Sequence, residues 1–529
     1  MKTRNAASCA GLLSAVLLFI CSLPAFAASN QPIVIHPDKV GVSQTVREIA
    51  KTVGPPVFHG WIIRREHETP SVMTRIYNIP DPVIQDNSTE PELSVDLGFN
   101  FDGMNGTQAG GVIPPDTNGA VGDNQFFLIT NFAFNIYNKT TGALEEGPLL
   151  INSIWSGFGG QCQSDNGGDP VVLYDKIANR WLLEQLEYTT TYQICVAVSQ
   201  TDDATGAYYL YSYTFAGGLT DYPKLGIWPD AYYLAFNFFA NGENFTGAEP
   251  CALDRTSMLA GQTAAMVCFN PNSSNSGFLP SDIDGSTLPP SGAPNHYIEL
   301  GNTNTTLNEY DFHVDFNVPK NSTFTGPNKL TVPAYTQLCG GGGGACIPEP
   351  HGGGVLDALG DRMMFRNAYR NFGGYESLVF SHAVAPGAGS IAVSAERWYE
   401  LRSTPAGGGF SVYQAATYQN KTDNYWMGSI AMDKNGDMAL GFSLDNATSL
   451  APSIKFTGRK VTDKLNKMEG TKLIHKGKIV QGQVNRWGDY SSMSVDPTDD
   501  CTFWYTQEYS DGGYNWQSHV ASFKFSTCE

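Results

Sequence analysis

The stretch Pro170-Val171-Val172-Leu173-Tyr174-Asp175-Lys176-Ile177-Ala178-Asn179-Arg180-Trp181-Leu182-Leu183 decides the architecture. An apolar run ends in Asp175, three residues follow, and Asn179 opens a second apolar run. This reads as strand, tight turn, strand. Asp and Asn suit the two ends of the turn because their side chains bond nearby backbone N–H groups and they tolerate positive φ. The pattern recurs around Asp357 and Asp361, around Asp433 and Asp437, and around Asp496 and Asp500. Weaker copies end their first runs at Asp123 and Asp230.

These anchors lie 52, 55, 127, 76 and 63 residues apart, and the long interval holds a strand-like pair of its own, NHYIEL from Asn295 and TLNEYDFHVDF from Thr306. A unit of about 60 residues is the size of a four-stranded propeller blade. Further strand-like runs follow the hairpins, such as YQICVAVS and AYYLYSYTF, or SLVFSHAV and AERWYELR. Composition agrees: 56 Gly, 30 Pro, 25 Tyr and 29 Phe with 16% charged residues favour short strands joined by turns. The expected fold class is all-β, a β-propeller of seven blades with six as the alternative. Two stacked β-sandwiches are the competing arrangement, but nothing after residue 110 resembles an interdomain linker.

The last unit runs out one strand short at Glu529. A segment preceding the first unit is expected to complete its sheet and close the ring, which removes an open edge. RIYNI near Arg75 and LSVDLGF near Leu93 are the candidates. Residues 28–110 read as an irregular leader that contributes this strand, with VSQTVREIAKTV as a helix, and residues 111–529 as the propeller.

Residues 1–27 have the form of a secretory signal: Lys2 and Arg4, an apolar stretch from Gly11 to Cys21, then Ala25-Phe26-Ala27. No later segment is long and apolar enough to span a bilayer as a helix. The expectation is therefore a secreted chain, extracellular or periplasmic, without a membrane span after signal cleavage. Losing Lys2 and Arg4 makes the formal charge more negative than −19, which excludes phosphate-backbone recognition, so no nucleic-acid partner is expected. Eight cysteines remain: Cys162, Cys195, Cys251, Cys268, Cys339, Cys346, Cys501 and Cys528. An even count in an exported chain points to four disulfides, and pairing in sequence order closes the shortest loops, although eight cysteines allow 105 pairings.

PPDTNGAVGDNQFFLITNFAFNIYNKTTG, GDPVVLYDKIANRWLLEQ, DYPKLGIWPDAYYLAFN, YRNFGGYESLVFSH, WMGSIAMDKNGDMALGFS and RWGDYSSMSVDPTDDCTFWYTQEY resemble a family of exported, sialidase-superfamily-like microbial β-propellers. The resemblance covers roughly residues 114–528. It implies a secreted propeller and brings no activity with it. The stretch from Ser510 to Trp516 is similar to the Asp-box turn of sialidases, a structural turn, but it stands alone and lacks the usual Thr before Trp516.

In a propeller the loops entering the innermost strands converge on one end of the channel. Asp116, Asp169 and Asp489 with Arg486 are the candidate catalytic set, since two carboxylates across such a mouth can serve as acid and base on a glycosidic bond. Asp221, Lys224, His351, Trp426 and Trp487 are the candidate ligand-binding set, with the Trp faces as sugar platforms. The same short polar residues would also cap strand ends with no ligand at all. A sialidase-type reaction needs an arginine clamp with a Tyr nucleophile. Arg366, Arg370, Arg402, Arg459 and Arg486 supply the charge, with Tyr369, Glu376 and Glu400 close to them in sequence, but positions after the hairpins rather than before them tell against a clamp, and Arg366 and Arg370 are expected in or beyond an outer strand or its loop, where ion pairing is the ordinary role.

No cofactor or metal site is assigned. Calcium is the one ion considered, because Asp282-Ile283-Asp284-Gly285-Ser286 begins like a calcium loop, but position 293 is Ala where a bidentate Glu is required. No HExxH, GxSxG, Walker or dinucleotide signature occurs. The expected role is binding of an extracellular carbohydrate or surface polymer by a monomeric propeller. The alternatives are a glycoside hydrolase or lyase and a protein-interaction scaffold, so whether the chain is an enzyme stays open at this stage.

Overall fold

The computed structural model describes residues 31–529 apart from 68, 71–79, 88–89, 91–92, 271–272, 387–392, 405–407 and 483. The signal at 1–27 and the closing-strand candidate RIYNI lie outside the described residues. The chain is an all-β propeller. Among the described residues most of the strands fall into seven antiparallel units of four, numbered here in chain order. Their first strands are Asn118–Val121, Gly168–Asp175, Gly218–Ile227, Leu279–Ile283, Asn367–Asn371, Asn424–Met432 and Ser492–Val495. Each packs beside the first strand of the next unit, and the seventh packs beside the first.

The anchor aspartates build the hairpins as their chemistry requires. Asp175 Oδ1 accepts from the backbone N–H groups of Ile177 and Ala178 at 3.0 and 3.1 Å. Asp433 Oδ1 accepts from Asn435 and Asp437, both at 2.9 Å, and Asp496 Oδ1 accepts from Thr498 at 2.9 Å. The far ends of two of these turns, Asn179 and Asp500, adopt φ of 54° and 56°. The side chain thus closes the turn before the ladder begins, fixing which residues of each strand face the neighbouring units.

One of the recurring patterns is not a blade hairpin. Val355–Asp357 pairs with Ala345–Pro348, and residues 358–366 are a loop. The fifth unit starts instead at Asn367, so SLVFSHAV and AERWYELR are its second and third strands. A short apolar run ending in Asp looks the same locally whether its partner follows or precedes it, and here the partner precedes. The long anchor interval contains a unit whose first strand is Leu279–Ile283, with NHYIEL and TLNEYDFHVDF as its second and third strands.

The leader is spread around the outside. Lys39–Val42 extends the second unit, Ile33–Ile35 the third and Ile84–Asp86 the fifth. Val95–Asn105, the LSVDLGF segment and its continuation, pairs antiparallel with Trp516–Phe525 and supplies the fourth strand of the seventh unit. The helix Val46–Thr52 is held by a capping box between Thr45 and Glu48.

Neighbouring units meet through large buried side chains. Phe456 stacks on Phe523 with ring centroids 3.8 Å apart. A Cβ on Gly441 would lie 2.4 Å from the Tyr505 ring, so only glycine permits that approach. The four disulfides join Cys162 to Cys195, Cys251 to Cys268, Cys339 to Cys346 and Cys501 to Cys528. The last ties the hairpin turn of the seventh unit to the chain end. Among the described residues no helix is long and apolar enough to cross a membrane.

Candidate functional site at the channel mouth

Three first strands carry the same irregularity near their entrance. Register shifts fall between Gly168 and Val171, between Asp221 and Lys224, and between Trp426 and Ser429. Within them Asp169, Tyr222 and Met427 take φ of 50°, 56° and 52°, and Asp116, just before the first unit's first strand, takes 45°. A bulge re-aims the side chains that flank it. These repeated bulges bring Asp116, Asp169, Lys224 and, from the loop before the seventh unit, Arg486 and Asp489 into one electrostatic cluster.

The contacts interlock. Asp489 donates its backbone N–H to Asp116 Oδ1 at 2.8 Å, and Asn131 Nδ2 donates to Asp116 Oδ2 at 2.6 Å. The Asn131 amide oxygen accepts from the backbone of Asp169 at 2.7 Å, and Tyr222 donates its N–H to Asp169 Oδ2 at 3.2 Å. Arg486 reaches Asp489 at 3.0 Å and Asp357 at 2.5 Å. Lys224 Nζ sits 3.4 Å from the centre of the Tyr222 ring and 4.1 Å from that of Tyr490. Its charge is thus held between two aromatic faces rather than in water.

The leader crosses this mouth. Arg64 donates its N–H to Ile113 at 2.7 Å, and its carbonyl accepts from Arg486 Nε at 3.1 Å. The Arg64 guanidinium lies over Tyr188 and Phe132, at 4.7 and 5.3 Å from the ring centres. Glu66 approaches Arg362 and Arg486 at 3.4 and 3.7 Å, and His67 stands 3.7 Å from Asp221. Thr69 donates to Asp361 at 2.9 Å. Asp116, Lys224, Tyr222 and Tyr490 are buried, whereas Arg64, Glu66, His67, Asp169, Asp221, Tyr188 and Phe132 are half-buried and form the accessible layer.

Burial governs the protonation of this cluster. It pushes Glu66 up to about 8, and, with the charges of Asp221 and Asp489, Asp169 up to about 7. Burial, then Asp489 and Asp169, carries Asp116 well above the carboxylate range, and burial does the same to Glu184 and Glu508. It pulls Lys224 down to about 7 against the opposing pull of Asp169. A hydrogen bond to Asp221 raises His67. The mouth thus holds an acid and an amine that both exchange protons near neutral pH.

Of the residues singled out in the sequence, Asp116, Asp169, Asp221, Lys224, Arg486 and Asp489 meet here. Three do not. Trp426 and Trp487 are fully buried and pack on each other with centroids 5.7 Å apart, so neither presents a face to a ligand. The bulge at Met427 turns the adjoining indole into the core. His351 is exposed at the tip of the 345–357 hairpin, because that hairpin is not a blade entrance.

Four of the five arginines considered for a carboxylate clamp are committed elsewhere, and the fifth, Arg486, stands at the mouth but is paired with Asp357 and Asp489. Arg366 pairs with Asp282 and Asp284 at 2.8 and 2.9 Å, Arg370 with Asp500 at 2.7 Å and Arg402 with Glu400 at 2.5 Å. Arg459 donates to the carbonyls of Lys467 and Asp463. Arg370 lies in the first strand of its unit and Arg366 just before it, not in an outer strand as the sequence pattern implied. Asp282 and Asp284, which open the calcium-like stretch, are the counter-charges of Arg366.

Arg64, Glu66 and His67 belong to no recognisable motif. Their only signal is a charged run, Arg64-Arg65-Glu66-His67, in an otherwise Pro-rich leader.

No protein-family profile matches the chain, and no curated protein matches it significantly. Among solved structures the chain has distant matches at low identity and low TM-score. An endo-arabinase from Bacteroides thetaiotaomicron is 16% identical over 56% of this chain and 94% of its own, with a TM-score of 0.28. An α-L-arabinofuranosidase from Fusarium graminearum is 8% identical over 84% and 99%, with a TM-score of 0.35. A subtype N10 neuraminidase-like protein from a little yellow-shouldered bat isolate is 6% identical over 66% and 95%, also at 0.35. Similarity at this level assigns no activity to the chain.

Proposed function

We propose that this is an exported propeller that binds a neutral, hydroxyl-rich carbohydrate chain at the channel mouth. The observation that carries the reading is the accessible layer itself: the carboxylates of Glu66, Asp169 and Asp221, with Arg64 and His67, set around the rings of Tyr188 and Phe132. Carboxylates accept from vicinal hydroxyls and aromatic faces stack on sugar rings. The mouth carries Glu66, Asp116, Asp169, Asp221, Asp357, Asp361, Asp489 and Glu508 against Arg64, Lys224, Arg362 and Arg486. Burial holds Glu66, Asp116 and Glu508 protonated near neutral pH, so the two signs nearly balance and the mouth offers hydrogen-bond donors and acceptors that match hydroxyls rather than a strong field. The four disulfides fit an oxidising compartment, as export requires.

A second reading, glycosidic bond cleavage, is favoured by one observation. Asp169 exchanges its proton near pH 7, as a general acid must, beside Asp221, a carboxylate that could serve as base. One experiment addresses both. The mature protein is applied to an array of neutral, uronate and sialylated glycans, and the same glycans are screened for products by mass spectrometry. Binding to neutral glycans that is lost in Asp169→Asn and Asp221→Asn, without product, supports binding. A product abolished by Asp169→Asn supports the enzyme. Retained binding in both variants removes the mouth from consideration.

A further inference from the structure

Away from the channel, the ring closure brings three metal-ligand side chains together. Asp102 lies on the closing strand Val95–Asn105, His519 faces it in register on Trp516–Phe525, and His475 ends Lys472–His475, the outer strand of the sixth unit. Their ligand atoms all lie within 4.8 Å of one another. His475 stacks on Tyr509 at 3.9 Å and lies 4.7 Å from the His519 ring.

The hydrogen bonds around His519 define its lone pair. Asn100 donates its amide N–H to the carbonyl of Ile474 at 3.4 Å, which turns its oxygen toward His519 Nε2 at 2.5 Å. Nε2 therefore carries the proton, and a neutral His519 directs the Nδ1 lone pair at Asp102 Oδ1, 2.8 Å away. Two acceptors at that distance repel unless a cation stands between them. A proton or a metal ion shared by the two atoms removes that repulsion, and His475, converging on the same point, offers a metal a third ligand that a shared proton does not use. An imidazole that ligates through one nitrogen while donating from the other to a fixed oxygen is the usual arrangement around zinc, with Asn100 as the supporting group. The Asp102 side chain is 54% exposed, which leaves a coordination position open to water.

We propose that Asp102, His475 and His519 bind one divalent transition-metal ion of the zinc class, stapling the closing strand to the sixth and seventh units. Two imidazoles and a carboxylate suit Zn²⁺ and select against Ca²⁺, which takes oxygen ligands.

The test uses the full mature protein after chelator treatment, titrated calorimetrically with Zn²⁺ and, as a control, Ca²⁺. The expected result is one Zn²⁺ per chain, no Ca²⁺ heat, and a Zn²⁺-dependent rise in melting temperature. His475→Ala should abolish the zinc-dependent rise, read as the difference between the metal-free and zinc-loaded melting temperatures of the same variant so that the lost Tyr509 stack cancels. Asn100→Leu should weaken zinc by about 10–100-fold as a positioning change. Co²⁺ bound to the parent should show tetrahedral visible absorption, absent in His475→Ala. No stoichiometric zinc binding overturns the proposal, as does zinc binding that His475→Ala and Asp102→Asn leave unchanged.

Discussion

Replacing Asp169 by Asn should make the protein more stable at slightly alkaline pH, although it removes a group from the candidate site. In the folded chain Asp169 is raised from 3.8 to about 7, through burial and the neighbouring Asp221 and Asp489. Between those values the folded state holds a proton that the unfolded chain has released. Stability therefore falls as pH rises through this window and levels off above it. At about 1.4 kcal/mol for each unit, the difference amounts to on the order of 4 kcal/mol by pH 8. Asn keeps the shape and the acceptor oxygen that Tyr222 uses, and it carries no charge. The assay is denaturant unfolding of parent and variant, disulfides intact, at pH 4, 6 and 8. The stability gap should be small at pH 4 and should favour Asn progressively toward pH 8. A gap independent of pH, or one that favours the parent at pH 8, would refute the claim that Asp169 is an electrostatically costly residue in the folded chain.

Lys224→Met probes the opposite titration. Lys224 is pulled from 10.5 to about 7, so its contribution to stability rises with pH from about 7 to above 10, and that alkaline rise should vanish in the variant, as read by melting temperature against pH. Cys501→Ser with Cys528→Ser opens a loop of 27 residues and should cost about 3.5 kcal/mol by the chain-entropy estimate, with amide exchange accelerating in the 516–525 and 95–105 strands. Gly441→Ala sets a methyl 2.4 Å from the buried Tyr505 ring and should cost about 1–3 kcal/mol in a denaturation midpoint, because neither unit can retreat. Thr45→Ala removes the helix cap and should cost about 1 kcal/mol, detectable as faster amide exchange in residues 46–52.

The repeated hairpin was legible because it is local. Asp175, Asp433 and Asp496 each close their turn with their own carboxylate, so the motif that marks the turn in sequence is also the group that forms it. The same locality misled at Asp357, whose strand pairs backward with Ala345–Pro348, and with it went His351. Trp426 shows a different limit. Its place at the start of a first strand is legible in the sequence, but the bulge that turns it inward depends on a left-handed Met427 that no composition rule announces.

By itself the sequence determined the all-β class, the hairpin turns, the candidate closing strand at Leu93 and the cysteines available for disulfides, because each rests on short-range chemistry or on a count. Only the tertiary structure decided which side chains face one another. Arg64 and Glu66 reach the mouth across some 420 residues of chain to Arg486, and Asp102 meets His519 across a similar span. Such pairings are set by how a ring closes and how its strands register, and neither leaves a trace at fixed spacing along the chain.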